Sequence, residues 1–254
     1  LLIFYCSHKE ILIPALAILN PPFWAVFWAL TAFAGLMVFS LEYLAQSPRF
    51  AQHRIRPYAR NRYSLGKQII NTTLNQLMSL LWFILFFVYF GDRVFANTWQ
   101  PGLARTVGEV LGVLLVYDFV YYWFHRAAHH PKMMRYMHGT HHWVRNPTAS
   151  QSSYLNPLEA TSALWILFAV IGLFAPISHL SFAIIYFIYS SVNLIVHSSL
   201  VPSHPALRLF SFWARKHDAH HQLFRVNYAN IFPFWDQLFG TTEDALKKVH
   251  PHAE

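Results

Sequence analysis

Two copies of one five-residue pattern, HxxHH, constrain this chain more than any other feature: His138-Gly-Thr-His141-His142 and His217-Asp-Ala-His220-His221. Read as helix, residues three and four apart share a face, so each copy presents its imidazoles together. A third group, HRAAH, sets His125 and His129 four apart. Residues 125–142 alone hold six of the sixteen histidines. A strongly apolar stretch separates the two HxxHH copies. A fold that brings them together gathers more imidazole than a core can use. Imidazole ligates iron, zinc, copper and nickel, so the pattern points to a metal site with more than one ion. A lone histidine is usually a surface or core residue, and His8, His53, His179, His250 and His252 are read that way.

Composition then decides the setting. The 254 residues are 55% hydrophobic and 12% charged, about half the charge of a typical soluble domain. A membrane protein of one domain, 1–254, is expected. Cys6 is the single cysteine, which excludes an intrachain disulfide and a cysteine metal site. Residues 1–22 are apolar but interrupted by His8, Lys9 and Glu10, and read as an interfacial or partial helix. Apolar runs predict spans at 23–45, 68–90, 103–124, 158–175 and 178–198, the last two a hairpin turning at Pro176. Asn71, Asn75 and Gln76 are expected to hydrogen-bond neighbouring helices. Gly108 and Gly112 form a GxxxG, read as close helix packing.

Residues 46–67 carry Arg49, Arg54, Arg56, Arg60, Arg62 and Lys67 and no acid. Beside apolar spans this signals a cytoplasmic loop rather than nucleic-acid binding. With that loop inside, the alternation of spans puts every histidine cluster, and His197 at the end of the fifth span, on the cytoplasmic side. A cytosolic cap of residues 125–157 and 199–254 would then carry the site. Bacterial inner membrane and endoplasmic reticulum are the two membranes considered.

His125, His129, His138, His141, His142, His197, His217, His220 and His221 make nine candidate ligands. That is excessive for one hydrolytic zinc, which uses three ligands and an open position. It suits two irons that leave room for oxygen. At a membrane surface the substrate would be a lipid entering from the bilayer. The spans are poor in His, Asp and Glu apart from Asp118, which argues against a metal transporter. An acid inside a span is costly unless paired. Asp118 lies seven residues before His125, two turns back on roughly the same face. It is read either as accepting a proton from a ligand histidine or as pairing with Arg126.

The boxes HRAAH, HGTHH and HDAHH, in this order, resemble the fatty acid hydroxylase/sterol desaturase superfamily of integral-membrane di-iron enzymes. Asn227–Thr241, NYANIFPFWDQLFGT, resembles the segment that follows its last box. The resemblance covers about 115–242. It implies an all-α membrane fold, four to five transmembrane helices with a cytosolic helical cap, and the nine histidines as ligands of two irons. Zinc could substitute in purified protein. It implies O2-dependent hydroxylation of a membrane lipid (sterol, fatty acyl, sphingoid or ether lipid), with desaturation as the alternative. A zinc-dependent membrane hydrolase is the second alternative. Some members carry HxxxH where this chain has Asn193 and His197, so Asn193 is read as holding a metal-bound water. His130 and His204 match no box. The chain has no dinucleotide fingerprint, so a separate electron donor of cytochrome b5 or ferredoxin type is expected to dock on the basic surface. Trp143, Tyr154 and Asn156 are expected to line the site, and Trp235 and Asp236 to anchor the cap. Phe232 and Phe234 are expected to pack. Glu159 is read as suiting a helix N-terminus.

Overall fold

The computed structural model describes residues 21–57, 63–96 and 101–244. The expectations for residues 1–20, Arg60, Arg62, His250 and His252 lie outside them. The fold is built from helices, and the described residues contain two isolated β-bridges but no sheet. Helix α1 is Pro21–Gln46, α2 Leu65–Val94, α3 Leu103–Ala128, α4 Pro157–Leu173 and α5 His179–Val196. Each expected span falls within or close to one of these. Short helices, α6 Arg208–Leu223 and α7 Phe234–Leu238, complete the cap with the segment 131–142.

Local signals set the boundaries. Ser64 caps α2 by accepting from the Lys67 amide at 3.4 Å, and Ser178 caps α5 by accepting from Ser181 at 3.0 Å. Asn156 accepts from Leu158 at 2.9 Å, and Pro157 occupies the first position of α4. Helix α6 stops where Phe224 turns left-handed, at φ 63°.

Trp24–Gln46, Leu65–Val94 and His179–Val196 are long and apolar enough to cross a membrane. Helix α4 is apolar but 17 residues long. Helix α3 has the length, yet it carries two buried acids, Glu109 as well as Asp118. The expectation of a lone acid in the spans is corrected. Glu109 accepts from the Arg105 guanidinium at 2.6 Å and from the Ser178 amide at 3.1 Å, and so holds the turn between α4 and α5.

The core is aromatic. Phe83, Phe86 and Phe87 of α2 meet Phe168 of α4 and Phe182 of α5, with Phe86 stacked on Phe168 at 4.1 Å. Helix α5 is central and packs against α1, α3 and α6. Within the GxxxG, the Phe174 ring lies over Gly112 while Gly108 has open space around it. Only Gly112 is a site of close approach.

The amides at the start of α2 correct another expectation. Asn71, Asn75 and Gln76 bond a loop rather than a neighbouring helix, and Gln68 reaches the same loop. That loop is 150–155, with Asn71 donating to the Leu155 carbonyl at 2.9 Å and accepting from its amide at 3.1 Å. This ties the cap to the helix ends. The basic loop reaches the same end: Arg56 donates to both carboxylate oxygens of Asp218, at 3.1 and 3.0 Å, beside His217. Arg54 bridges to Leu200.

Candidate metal centre

The nine histidines fall into two groups. His125, His129, His138, His142 and His220 form a pentad, and His141, His197, His217 and His221 a tetrad. In each, one nitrogen per ring lies within 4.8 Å of all the others. Neighbouring Nε2 atoms in the pentad are 2.9–3.2 Å apart, and so are those in the tetrad. Adjacent nitrogens bound to one ion at about 2.1 Å would sit about 3.0 Å apart.

Helical geometry pairs the outer members. Each HxxHH sends its first and last histidine to one group and its middle histidine to the other. His138 and His142 join the pentad while His141 joins the tetrad; His217 and His221 join the tetrad while His220 joins the pentad. On a helix i+4 lies about 40° from i and i+3 about 60° to the other side, so the first and last rings stay together while tertiary packing decides where the middle one goes. The second box begins in a π-turn, Met134–His138, followed by the helical turn Gly139–His142. Gly139 makes the turn possible, because a Cβ there would strike the Met134 carbonyl oxygen.

The far nitrogens show which ring atoms are left free to bind a cation. Nδ1 of His125 donates to the Tyr228 carbonyl at 2.8 Å and Nδ1 of His220 to Val226 at 2.7 Å. Nδ1 of His221 donates to Val144 at 2.9 Å and Nδ1 of His197 to Asn193 at 2.7 Å. A carbonyl oxygen only accepts, so these Nδ1 atoms carry the protons. In neutral rings the Nε2 atoms then turn bare lone pairs towards one another. His125 Nε2 is buried with no hydrogen-bond partner at all. Converging lone pairs with fixed far nitrogens are the pattern of metal-ligating histidines.

Burial favours the neutral form of most of these rings. It holds His125, His141, His142, His217, His220 and His221 well below the usual histidine range, with repulsion from neighbouring rings adding to it. His129 is lowered to about 3 by burial and by His138.

Asp118 corrects the sequence reading, since it contacts no histidine. It accepts from the amides of Asn230, Ile231 and Phe232 at 2.9, 2.8 and 2.7 Å. Asp236 accepts from Tyr228 and Ala229 at 2.7 and 3.2 Å, and Lys216 bridges Asp236 and the Ala229 carbonyl. The two acids fix the loop 226–232, whose carbonyls hold His125 and His220. Asn193 likewise serves through its backbone carbonyl, although the residue also borders the cavity described below.

Trp143 is exposed, Tyr154 stacks on Tyr63 at 4.2 Å, and Asn156 caps α4, so none of the three borders that cavity. His130 and His204 cap short turns outside both groups. Glu159 is the residue sequence reasoning missed. Its Oε1 accepts from His138 Nδ1 at 2.7 Å. The available signal was an acid in an acid-poor region, at the start of the helix that follows the second box.

A family model described as fatty acid hydroxylase matches residues 110–241, just over half of the chain, and spans all nine histidines. The chain belongs to the fatty acid hydroxylase family. Methylsterol monooxygenase 1 of Rattus norvegicus is 34% identical over 56% of this chain and 49% of its own length. Alkylglycerol monooxygenase of Homo sapiens is 32% identical over 52% of this chain and 30% of its own length. A very-long-chain aldehyde decarbonylase of Oryza sativa subsp. japonica is 28% identical over 64% and 28%. The chain spans about half the length of the vertebrate methylsterol monooxygenases it matches. No solved structure matches it significantly.

In this fatty acid hydroxylase family member, a cavity of about 520 Å³ runs from the histidines into the helices. His125, His141, His197 and His217 line it, three members of the tetrad against one of the pentad. Val38 and Phe39 of α1, Phe83 of α2 and Leu164 of α4 give it apolar walls.

Proposed function

We propose that this chain hydroxylates a membrane lipid with O2, at two irons held by the pentad and the tetrad. The observation that carries the reading is the pair of histidine groups, with converging bare Nε2 atoms, beside a cavity that begins among membrane-crossing helices. The names of the relatives, monooxygenases of sterols and alkylglycerols, agree with it. All nine histidines are the proposed ligands, and zinc could occupy the same nitrogens in purified protein.

Bound at these nitrogens, iron would supply the reduction of O2 and the oxidising strength needed to break an unactivated C–H bond. The chain supplies the rest. Backbone carbonyls of Val144, Asn193, Val226 and Tyr228 hold the Nδ1 protons of His221, His197, His220 and His125 and so keep those four Nε2 atoms free to bind. The apolar walls receive an acyl or ring system and exclude water. Three tetrad histidines line the cavity, so the tetrad is the site nearer the substrate carbon. Desaturation would differ only in where a second hydrogen lies relative to that site. Electrons would come from a separate donor of cytochrome b5 or ferredoxin type. The basic loop, at the same end as the histidines, would set that end on the cytoplasmic side.

The test is metal content together with O2 consumption, on protein purified anaerobically with iron supplied. Near two irons per chain, with O2 uptake raised by a lipid extract and abolished in His141→Ala, is the expected result. Mass spectrometry of the extract then separates gain of oxygen from loss of two hydrogens. One tightly held zinc and no O2 uptake with any lipid would overturn the reading in favour of a hydrolase.

A further inference from the structure

Glu159 has a second oxygen that the metal centre leaves unused. Oε1 accepts from His138 Nδ1, but Oε2 is buried and has no hydrogen-bond partner. The residue is 4% exposed and lies on the wall of the cavity, at the end where His125 also lies. A buried carboxylate oxygen without a donor is costly, by about 1–3 kcal/mol or more for a charged group. Such an atom, on a residue that lines the cavity, marks a place for a ligand donor reached by a turn of the carboxylate. Among the described residues the cavity walls carry no cation: Tyr117, Tyr121 and Tyr189 of α3 and α5 face the same space, with Ala160 and Ala163 on the helix of Glu159 itself.

We propose that Glu159 Oε2 accepts a hydrogen bond from a hydroxyl group of the lipid substrate, and so selects a lipid alcohol and sets which carbon faces the metals. This rests on the lipid-oxygenase reading and narrows it. Oε1 is tied to the outer nitrogen of a pentad histidine, so a hydroxyl on Oε2 is held one imidazole ring away from the metal centre. The oxidised carbon is therefore close to the hydroxyl along the substrate skeleton, rather than at the far end of a chain. An unsubstituted acyl chain or alkane offers no donor and leaves Oε2 unpaired. Glu159 would act as a specificity-determining residue. Its geometry also separates this role from metal holding, because glutamine can still accept from His138 Nδ1 while presenting an amide N–H to the cavity.

The test uses matched pairs of probes, a 4-methylsterol with its 3-O-methyl ether and a 1-O-alkylglycerol with its 2-O-methyl ether. Equilibrium binding to the iron-loaded protein is measured without O2, beside iron content. For at least one pair, wild type is expected to bind the free alcohol about tenfold or more tightly than the ether, the size of a hydrogen bond to a charged acceptor. In Glu159→Gln the ratio is expected to fall below about threefold while iron content stays unchanged. Equal binding of alcohol and ether in both pairs by wild type would overturn the proposal, leaving a fixed water as the partner of Oε2. An unchanged ratio in Glu159→Gln would also overturn it, whether or not iron is retained, since the ratio can be read on metal-free protein. Lipid-stimulated O2 uptake by wild type is followed separately. If uptake persists while the ratios fail, only the role of Glu159 falls; if uptake never occurs, the oxygenase reading falls.

Discussion

His220 and His221 are neighbours in sequence and belong to different groups: His220 Nε2 lies 3.1 Å from His142 Nε2, and His221 Nε2 lies 3.1 Å from His217 Nε2. Their ring planes are 88° apart. Substituting one should therefore remove a different ligand set from substituting the other. His220→Ala is expected to lose about one metal per chain from the pentad and His221→Ala about one from the tetrad. Metal content measured on each single variant and on the double variant checks this. If the double variant lost no more metal than either single, the two-site division would be wrong.

Asp118 holds three backbone amides of the loop whose Tyr228 carbonyl orients His125. Asp118→Ala leaves three buried donors without an acceptor. A loss of roughly 3 kcal/mol or more is expected, together with lower metal content. Thermal unfolding in detergent reads the first effect. Metal analysis on the folded fraction reads the second. A variant as stable as wild type would show that the loop does not depend on this acid.

Gly139 and Gly108 make a contrasting pair. Gly139→Ala drives a Cβ into the Met134 carbonyl and must deform the π-turn that starts the second box. A loss of roughly 2–4 kcal/mol and of bound metal is expected, as for other strained backbone substitutions. Gly108→Ala meets open space in mid-helix, and should be neutral or stabilise by up to about 1 kcal/mol. A destabilising Gly108→Ala would restore the whole GxxxG as a packing motif.

Iron-depleted protein should lose stability as pH falls. His125, His141, His142, His217, His220 and His221 have folded-state pKa values below the unfolded value, as does His129 at about 3. The unfolded chain therefore binds more protons below about pH 6.5, and the folded state is disfavoured from there down towards pH 3. Each ring that must stay neutral contributes up to about 1.4 kcal/mol per pH unit in that window. Melting temperatures of the metal-free protein at pH 7.5 and 5.5 should differ by several degrees. A flat profile would mean that the rings are open to solvent.

The helical, membrane-embedded architecture was legible in the sequence because apolar length and helical spacing are local properties. So were the nine histidines. What is read from spacing is the angle between two side chains on one helix, and the i, i+4 pairing of His138 with His142 and of His217 with His221 follows from that angle alone. The sequence could not say that the middle histidine of each box crosses to the other group, because that depends on how α6 packs against the second box and α5. It misassigned Asp118 for the same reason: two turns along one helix predicts a shared face, but a loop more than a hundred residues later occupies the space between. Asn71 and Asn75 were read as bonds between helices, and tertiary packing placed a buried loop there instead. Glu159 looked like a helix-start charge because its partner, His138, reaches it only through the fold. Local periodicity determined which groups this protein has to use. The packing of distant segments decided which nitrogens converge, what holds them, and which buried oxygen is left free at the end of the cavity.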